Sequence, residues 1–210
     1  ISALLSCQHF ILILERTPLY CDDIKSIKRR STSTCLHTIF EFLTKWLSPI
    51  VSFTCEEAWK SRSYNNEESI LLQNVRDDEF TYKDISLEKV FEELKRVRKS
   101  VTSALELKRN EKLIGSSLQA KVILFLSKDT QKIISNLDLA EMCIVSNVET
   151  HDISNRSKES ISIEDEEIYV EIKLADGKKC ERCWAVLQEV SSSKNNLCNR
   201  CDDVWKTFQQ

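Results

Sequence analysis

Four cysteines near one end of this 210-residue chain have the spacing of a metal site. They are Cys180 and Cys183, in the run C-E-R-C, and Cys198 and Cys201, in the run C-N-R-C. Each Cys-x-x-Cys turns tightly enough to aim two thiolates at one point. Two such pairs, separated by fourteen residues, supply four soft sulfur donors. That is the set Zn²⁺ prefers in a closed tetrahedral site. With four protein ligands no position remains for a catalytic water, so one structural Zn²⁺ per chain is expected. A single Cys-x-x-Cys could be a redox pair, and disulfides are the other use of paired cysteines. Two pairs on a polar loop, rather than between a strand and a helix, favour the metal.

The elements that must position this cluster follow from pattern. Two glycines and two prolines in the whole chain disfavour a sandwich built on tight turns and favour long helices. Ile24–Leu47 reads as an amphipathic helix with Leu36, Ile39, Phe40, Leu43 and Leu47 on one face. Asp22 and Asp23 stand where its N-terminal dipole would favour carboxylates. Beyond Pro49, Thr54 and Glu57 have the spacing of a capping box before Trp59. Ser86–Arg109 reads as a second long helix, striped by Leu87, Val90, Phe91, Leu94, Val97, Val101 and Leu105. Two long striped helices predict a bundle, with Trp46, Trp59 and Phe91 in its core. The texture then changes. Lys121–Leu126, Cys143–Val145 and Ile168–Leu174 read as strands, Asp129–Leu137 as a short helix, and 151–162 as a Ser-rich loop. The run Phe10–Leu14 is either a buried strand or a buried helical turn, and Asn65–Asn66 and Asp77–Asp78 mark loops. The predicted fold is mainly α: a helical bundle over 1–113, a small α+β unit over 114–176, and a four-cysteine zinc module over 177–210.

Composition narrows the class further. The formal net charge of −3 carries no global nucleic-acid signature, and nothing points to DNA. The charge is uneven: residues 83–121 hold ten Lys/Arg against six Asp/Glu, and 122–171 hold four against eleven. A basic stretch beside an acidic one is compatible with local RNA contact and equally with two solvated faces. No apolar run approaches the roughly 20 residues that would span a membrane. Five further cysteines are scattered in apolar contexts. An odd remainder and a thiolate metal site predict a reducing, cytoplasmic setting. The chain opens on Ile1 and its one methionine is Met142, as expected of the C-terminal piece of a longer protein. The three histidines have no ligand spacing among themselves.

Several runs carry a family resemblance: P-L-Y-C-D at 18–22, K-R-R-S at 28–31, W-L-S-P-I-V-S-F-T-C-E-E-A-W at 46–59, V-R-K-S-V-T-S-A-L-E at 97–106 and I-G-S-S-L-Q-A-K-V at 114–122. In that order they resemble the anticodon-binding domain of bacterial-type isoleucyl-tRNA synthetases. K-C-E-R-C-W at 179–184 with C-N-R-C at 198–201 resembles that family's C-terminal zinc module. The Leu-Ser-Pro to Glu-Glu-x-Trp run is shared more loosely with valyl and leucyl relatives. The Lys-Cys-x-Arg-Cys-Trp ending is particular to the isoleucyl branch. Residues 6–17 depart from the family, since Phe10-Ile11-Leu12 stands where it carries Phe-Asp-Ile.

The resemblance implies the tRNA-binding part of an isoleucine–tRNA ligase, an enzyme that joins isoleucine to its tRNA using ATP and Mg²⁺. Its partners would be the isoleucine tRNA and a catalytic domain of the same chain, and the whole enzyme a monomer. The H-x-G-H and K-M-S-K-S signatures of the ATP site are absent from these 210 residues, as is an editing domain, so no catalytic residue is assigned. The alternative is a stand-alone zinc-containing RNA-binding module, or an inactive remnant. An anticodon loop offers splayed bases for stacking and edge contacts. Trp184, directly after the first cysteine pair, would stack on such a base, with Lys179 and Arg182 meeting phosphates or base edges. The competing reading packs Trp184 over the zinc site as a miniature core. Arg29 and Arg30, near the start of the first long helix, are the second candidate RNA contacts.

Overall fold

The computed structural model describes residues 16–62, 69–74, 84–165 and 167–208. The Phe10–Leu14 run and the loops at Asn65–Asn66 and Asp77–Asp78 lie outside them. Among the described residues the chain is mainly helical, and it divides into two compact units. One is Asp23–Lys83, and the other joins Ile1–Asp22 to Asp84–Gln210.

The larger unit is built on one long helix and a three-stranded sheet. Counting α-helices in chain order, α1 is Arg16–Cys21 and α4 is Ile85–Asn110. Asp84 caps α4 by accepting from the backbone N–H groups of Ser86 and Leu87 at 2.9 and 3.1 Å. Lys108 and Arg109 complement its C-terminal dipole. Leu94, Val97, Val101, Ala104 and Leu105 are buried at helical spacing. The expected stripe is real, but its N-terminal member Leu87 is exposed and Phe91 only half-buried.

The partner of that stripe is the sheet. Strand β1 (Ala120–Leu126) lies between β2 (Asn147–Asp152), which is parallel to it, and β3 (Tyr169–Leu174), which is antiparallel. Ala120, Val122, Leu124 and Leu126 form one core with the α4 stripe, Val170 and Ile172. A central strand packed on both faces tolerates no polar alternation, which is why β1 reads as a near-continuous apolar run. The sequence groups the two long helices as a bundle. In the structure the sheet takes the α4 stripe, and the first long helix belongs to the other unit.

The crossover from β1 to β2 runs through α5 (Lys128–Ile134) and α6 (Leu139–Cys143). Cys143–Val145 is therefore not a strand. Asp138 accepts from the Glu141 N–H at 3.1 Å and starts a helical turn that consumes Cys143. Ile144 ends it in the left-handed conformation, at φ 57°. Three apolar residues carry too little period to separate these outcomes. The residues expected as loop from 151 begin as the end of β2.

The smaller unit holds α2 (Ile27–Leu47) and α3 (Ser52–Lys60). Ser26, not the Asp22–Asp23 pair, caps α2, accepting from the Arg29 N–H at 3.4 Å. Asp23 instead accepts from the Lys25 N–H at 2.7 Å in the preceding turn. The capping box at Thr54 and Glu57 does not form. The turn after Leu47 restarts the helix at Ser52, which places Thr54 inside its first turn. Trp59, Cys55 and Ile70 form the small core with Phe40 against them. Trp46, expected in the core, is 47 % exposed and tilts against Phe42 instead. A unit this small cannot enclose both faces of a long helix.

Candidate metal and RNA-binding site

The chain enters the cysteine region through a two-stranded hairpin, β4 (Lys178–Lys179) with β5 (Val186–Leu187). Gly177 opens it at φ 115°, with its Cα so near the Leu187 carbonyl that a Cβ would lie 2.3 Å from it. Between the strands the Cys180–Cys183 knuckle closes on itself. Cys180 N–H donates to the Ala185 carbonyl at 2.8 Å, and Trp184 N–H donates to the Cys180 carbonyl at 2.9 Å. The second knuckle follows Asn196, at φ 54°, and runs into α7 (Asn199–Phe208). Cys198 N–H donates to the Cys180 sulfur at 3.3 Å, tying the second knuckle to the first.

These turns bring the four expected ligands together. The Sγ atoms of Cys180, Cys183, Cys198 and Cys201 all lie within 4.8 Å of one another. Cys183 and Cys198 are 3.7 Å apart. Four sulfurs at the usual zinc–sulfur bond length of about 2.3 Å would sit about 3.8 Å from each other around a tetrahedron. The donor set therefore fits such an ion by type, number and spacing. As bare thiols, Cys183 and Cys198 are poorly disposed to ionise. A hydrogen bond with Cys201 and burial push the Cys183 thiol up to about 12. Burial pushes Cys198 up to about 11. A dication supplies the charge that four crowded thiolates lack.

The residues around the cluster fall into two groups. Lys179 and Trp184 face outward together. Trp184 is 57 % exposed, and the Lys179 ammonium lies 4.8 Å from its ring centroid. The indole is not a miniature core over the sulfurs. That place is taken by Val190, with Leu187 and Leu197 against it. Trp184 has φ 69°, a left-handed conformation that the knuckle's two hydrogen bonds impose. Arg182 faces the body of the unit. Its guanidinium donates to the carbonyls of Cys21 at 2.6 Å and Tyr20 at 2.9 Å, closing the end of α1. A cleft lined in part by Trp184, Arg182, Tyr20, Ser116 and Arg200 adjoins it. Arg29 and Arg30 lie in the first turn of α2, in the other compact unit, Arg29 half-buried and Arg30 exposed.

Two participants carry no metal-site signal in the sequence, although both lie in the P-L-Y-C-D run at 18–22. Cys21 joins the buried cysteine cluster, and a hydrogen bond from Cys201 brings its thiol down to about 7. Asp22 pairs with Arg200 at 3.7 Å. No spacing rule links residues so far apart in the chain. Among the described residues the histidines stay outside: His37 lies 3.6 Å from Glu41, and His151 packs against Phe125.

Comparison with known proteins agrees with this arrangement. Residues 5–124 match the anticodon-binding domain of tRNA ligase, and residues 177–204 match a zinc finger found in FPG and IleRS. The isoleucine–tRNA ligase of Agrobacterium fabrum is 36 % identical over 184 residues, covering 87 % of this chain and 19 % of that protein. That of Staphylococcus epidermidis is 36 % identical over 205 residues, 95 % of this chain and 22 % of the relative. That of Desulforamulus reducens is 30 % identical over 213 residues, 94 % and 23 % respectively. The chain thus spans about a fifth of the length of these relatives.

Proposed function

The chain belongs to the family of anticodon-binding domains of tRNA ligases, and from that membership we propose that it is the tRNA-reading portion of an isoleucine–tRNA ligase. The whole protein would attach isoleucine to its tRNA with ATP and Mg²⁺. These 210 residues hold neither ATP-site signature and by themselves should charge no tRNA. We keep a functional division into an anticodon-binding region at 1–113, a junction at 114–176 and a zinc module at 177–210. We assign this work to the cytoplasm, the reducing setting that a thiolate metal site suits. Among the described residues no helix is long and apolar enough to cross a membrane.

In this reading Cys180, Cys183, Cys198 and Cys201 hold one structural Zn²⁺, which supplies cross-linking and no chemistry of its own. What the knuckle does is present Trp184. The observation that carries the proposal is an indole more than half exposed, fixed by knuckle hydrogen bonds and flanked by a lysine. A large apolar ring kept out of the core beside a cation suits a splayed base and its phosphate. Lys179 would then meet phosphate. Arg182, proposed from sequence as a direct contact, already serves two carbonyls, so its contribution is to place the knuckle. Arg29 and Arg30 would track the RNA backbone from their own unit.

The test is binding of the zinc-loaded chain to an anticodon stem-loop of an isoleucine tRNA, against a stem-loop of another tRNA, at fixed salt. Preference for the isoleucine stem-loop, lost when zinc is removed, is the expected result. Equal and weak binding to both would refute anticodon reading.

A further inference from the structure

Each knuckle carries an arginine directly before its second cysteine, Arg182 in C-E-R-C and Arg200 in C-N-R-C. Both reach the same three-residue turn. Arg182 donates to the carbonyls of Tyr20 and Cys21, and Arg200 pairs with the carboxylate of Asp22. Between these two tethers the Cys21 side chain, only 8 % exposed, enters the cluster formed by Cys180, Cys198, Cys201 and Val190. We infer that Tyr20–Asp22 is a strap whose docking is coupled to metal loading, with the Cys21 side chain buried against the four-cysteine cluster as the reporter of that docking. The inference rests on the reading of the four cysteines as a metal site.

The physical case has two parts. First, α1 has six residues, too short to persist on its own propensity. Its last carbonyls need donors, and Arg182 supplies them with the planar fork that suits two adjacent acceptors. Second, the two arginines come from different knuckles. They stand in register with one turn only while the knuckles are held together, and the metal is what holds them.

The experiment uses the full chain, reduced and zinc-loaded, with zinc measured by elemental analysis. A short N-ethylmaleimide pulse is followed by peptide mass spectrometry, before and after removal of zinc with a chelator. Cys143, buried in the core of the sheet, and Cys55, buried with Trp59, are internal references. The expected result is a rise of about tenfold or more in Cys21 labelling on zinc removal, with both references unchanged. An unchanged Cys21, or a Cys21 that rises only together with Cys143, overturns the coupling. In a second arm, Arg182→Lys replaces the fork by a single ammonium. It should raise Cys21 labelling with one zinc per chain still bound, and Cys21 protected as in the parent protein would refute the tether. A chain that takes up no zinc at all is seen in the elemental analysis before alkylation, and fails the metal reading itself.

Discussion

Replacing Trp184 by alanine separates presentation of a stacking surface from support of the zinc knuckle. The side chain is 57 % exposed, so its removal uncovers little core. The backbone sits at φ 69°, a conformation that tryptophan, phenylalanine and alanine all enter at similar cost. Strain therefore cancels across a series of Trp184, Trp184→Phe and Trp184→Ala. The local loss is the contact with Lys179, worth about 0.5–1 kcal/mol at an exposed site. Loss of a stacked base is worth about 1–3 kcal/mol. At about 1.4 kcal/mol per factor of ten, that predicts a Kd for the stem-loop roughly 5- to 140-fold weaker in the alanine variant. Phenylalanine, which keeps a π face, should fall between. Fluorescence anisotropy with a labelled stem-loop reads the affinity, and elemental analysis and a thermal melt confirm that zinc and fold are kept. A Kd within twofold of the parent, with zinc retained, would show that the exposed indole has another use.

Four further outcomes are expected. The Cys183 and Cys198 thiols lie near 12 and 11 without metal, so at neutral pH protons must leave as the ion binds. Zinc affinity should therefore fall steadily from pH 8 to pH 6 in a chelator competition, and a flat profile would contradict thiolate ligation. Arg29→Ala with Arg30→Ala should flatten the slope of log affinity against log salt by about 1.4, the single-strand value for two phosphate contacts, and an unchanged slope would make them plain surface charge. Leu124→Ala, at a fully buried position in the central strand, should cost about 2–5 kcal/mol in urea unfolding, and a loss below about 1 kcal/mol would deny the sheet its place in the core. Gly177→Ala sets a Cβ 2.3 Å from the Leu187 carbonyl at a φ of 115°. Backbone strain alone costs about 1–3 kcal/mol there, so zinc should be lost to a chelator markedly faster than from the parent.

Some of this protein is written in short-range pattern. The spacing of Cys180, Cys183, Cys198 and Cys201 is enough to indicate a four-sulfur site, because a knuckle is a local turn and four donors of one kind leave few alternatives. The two long helices and the central strand are legible for the same reason: their apolar residues repeat at the period of the element. Helix starts are harder to read. Asp22–Asp23 and Thr54 are plausible caps by type, but Ser26 and the turn after Leu47 decide where the helices begin. Period also says that a stripe is apolar without saying what covers it. Only the folded chain gives the α4 stripe to the sheet and leaves Trp46 in solvent. The same holds at the site. Sequence offers Arg182 as an RNA contact and leaves Trp184 open between core and surface. Tertiary structure turns Arg182 toward Tyr20 and Cys21, turns Trp184 outward, and brings Cys21 to the cluster. Those choices are made by side chains meeting across 161 residues of chain, where no repeat or spacing rule operates and only the closed three-dimensional arrangement fixes which donor finds which acceptor.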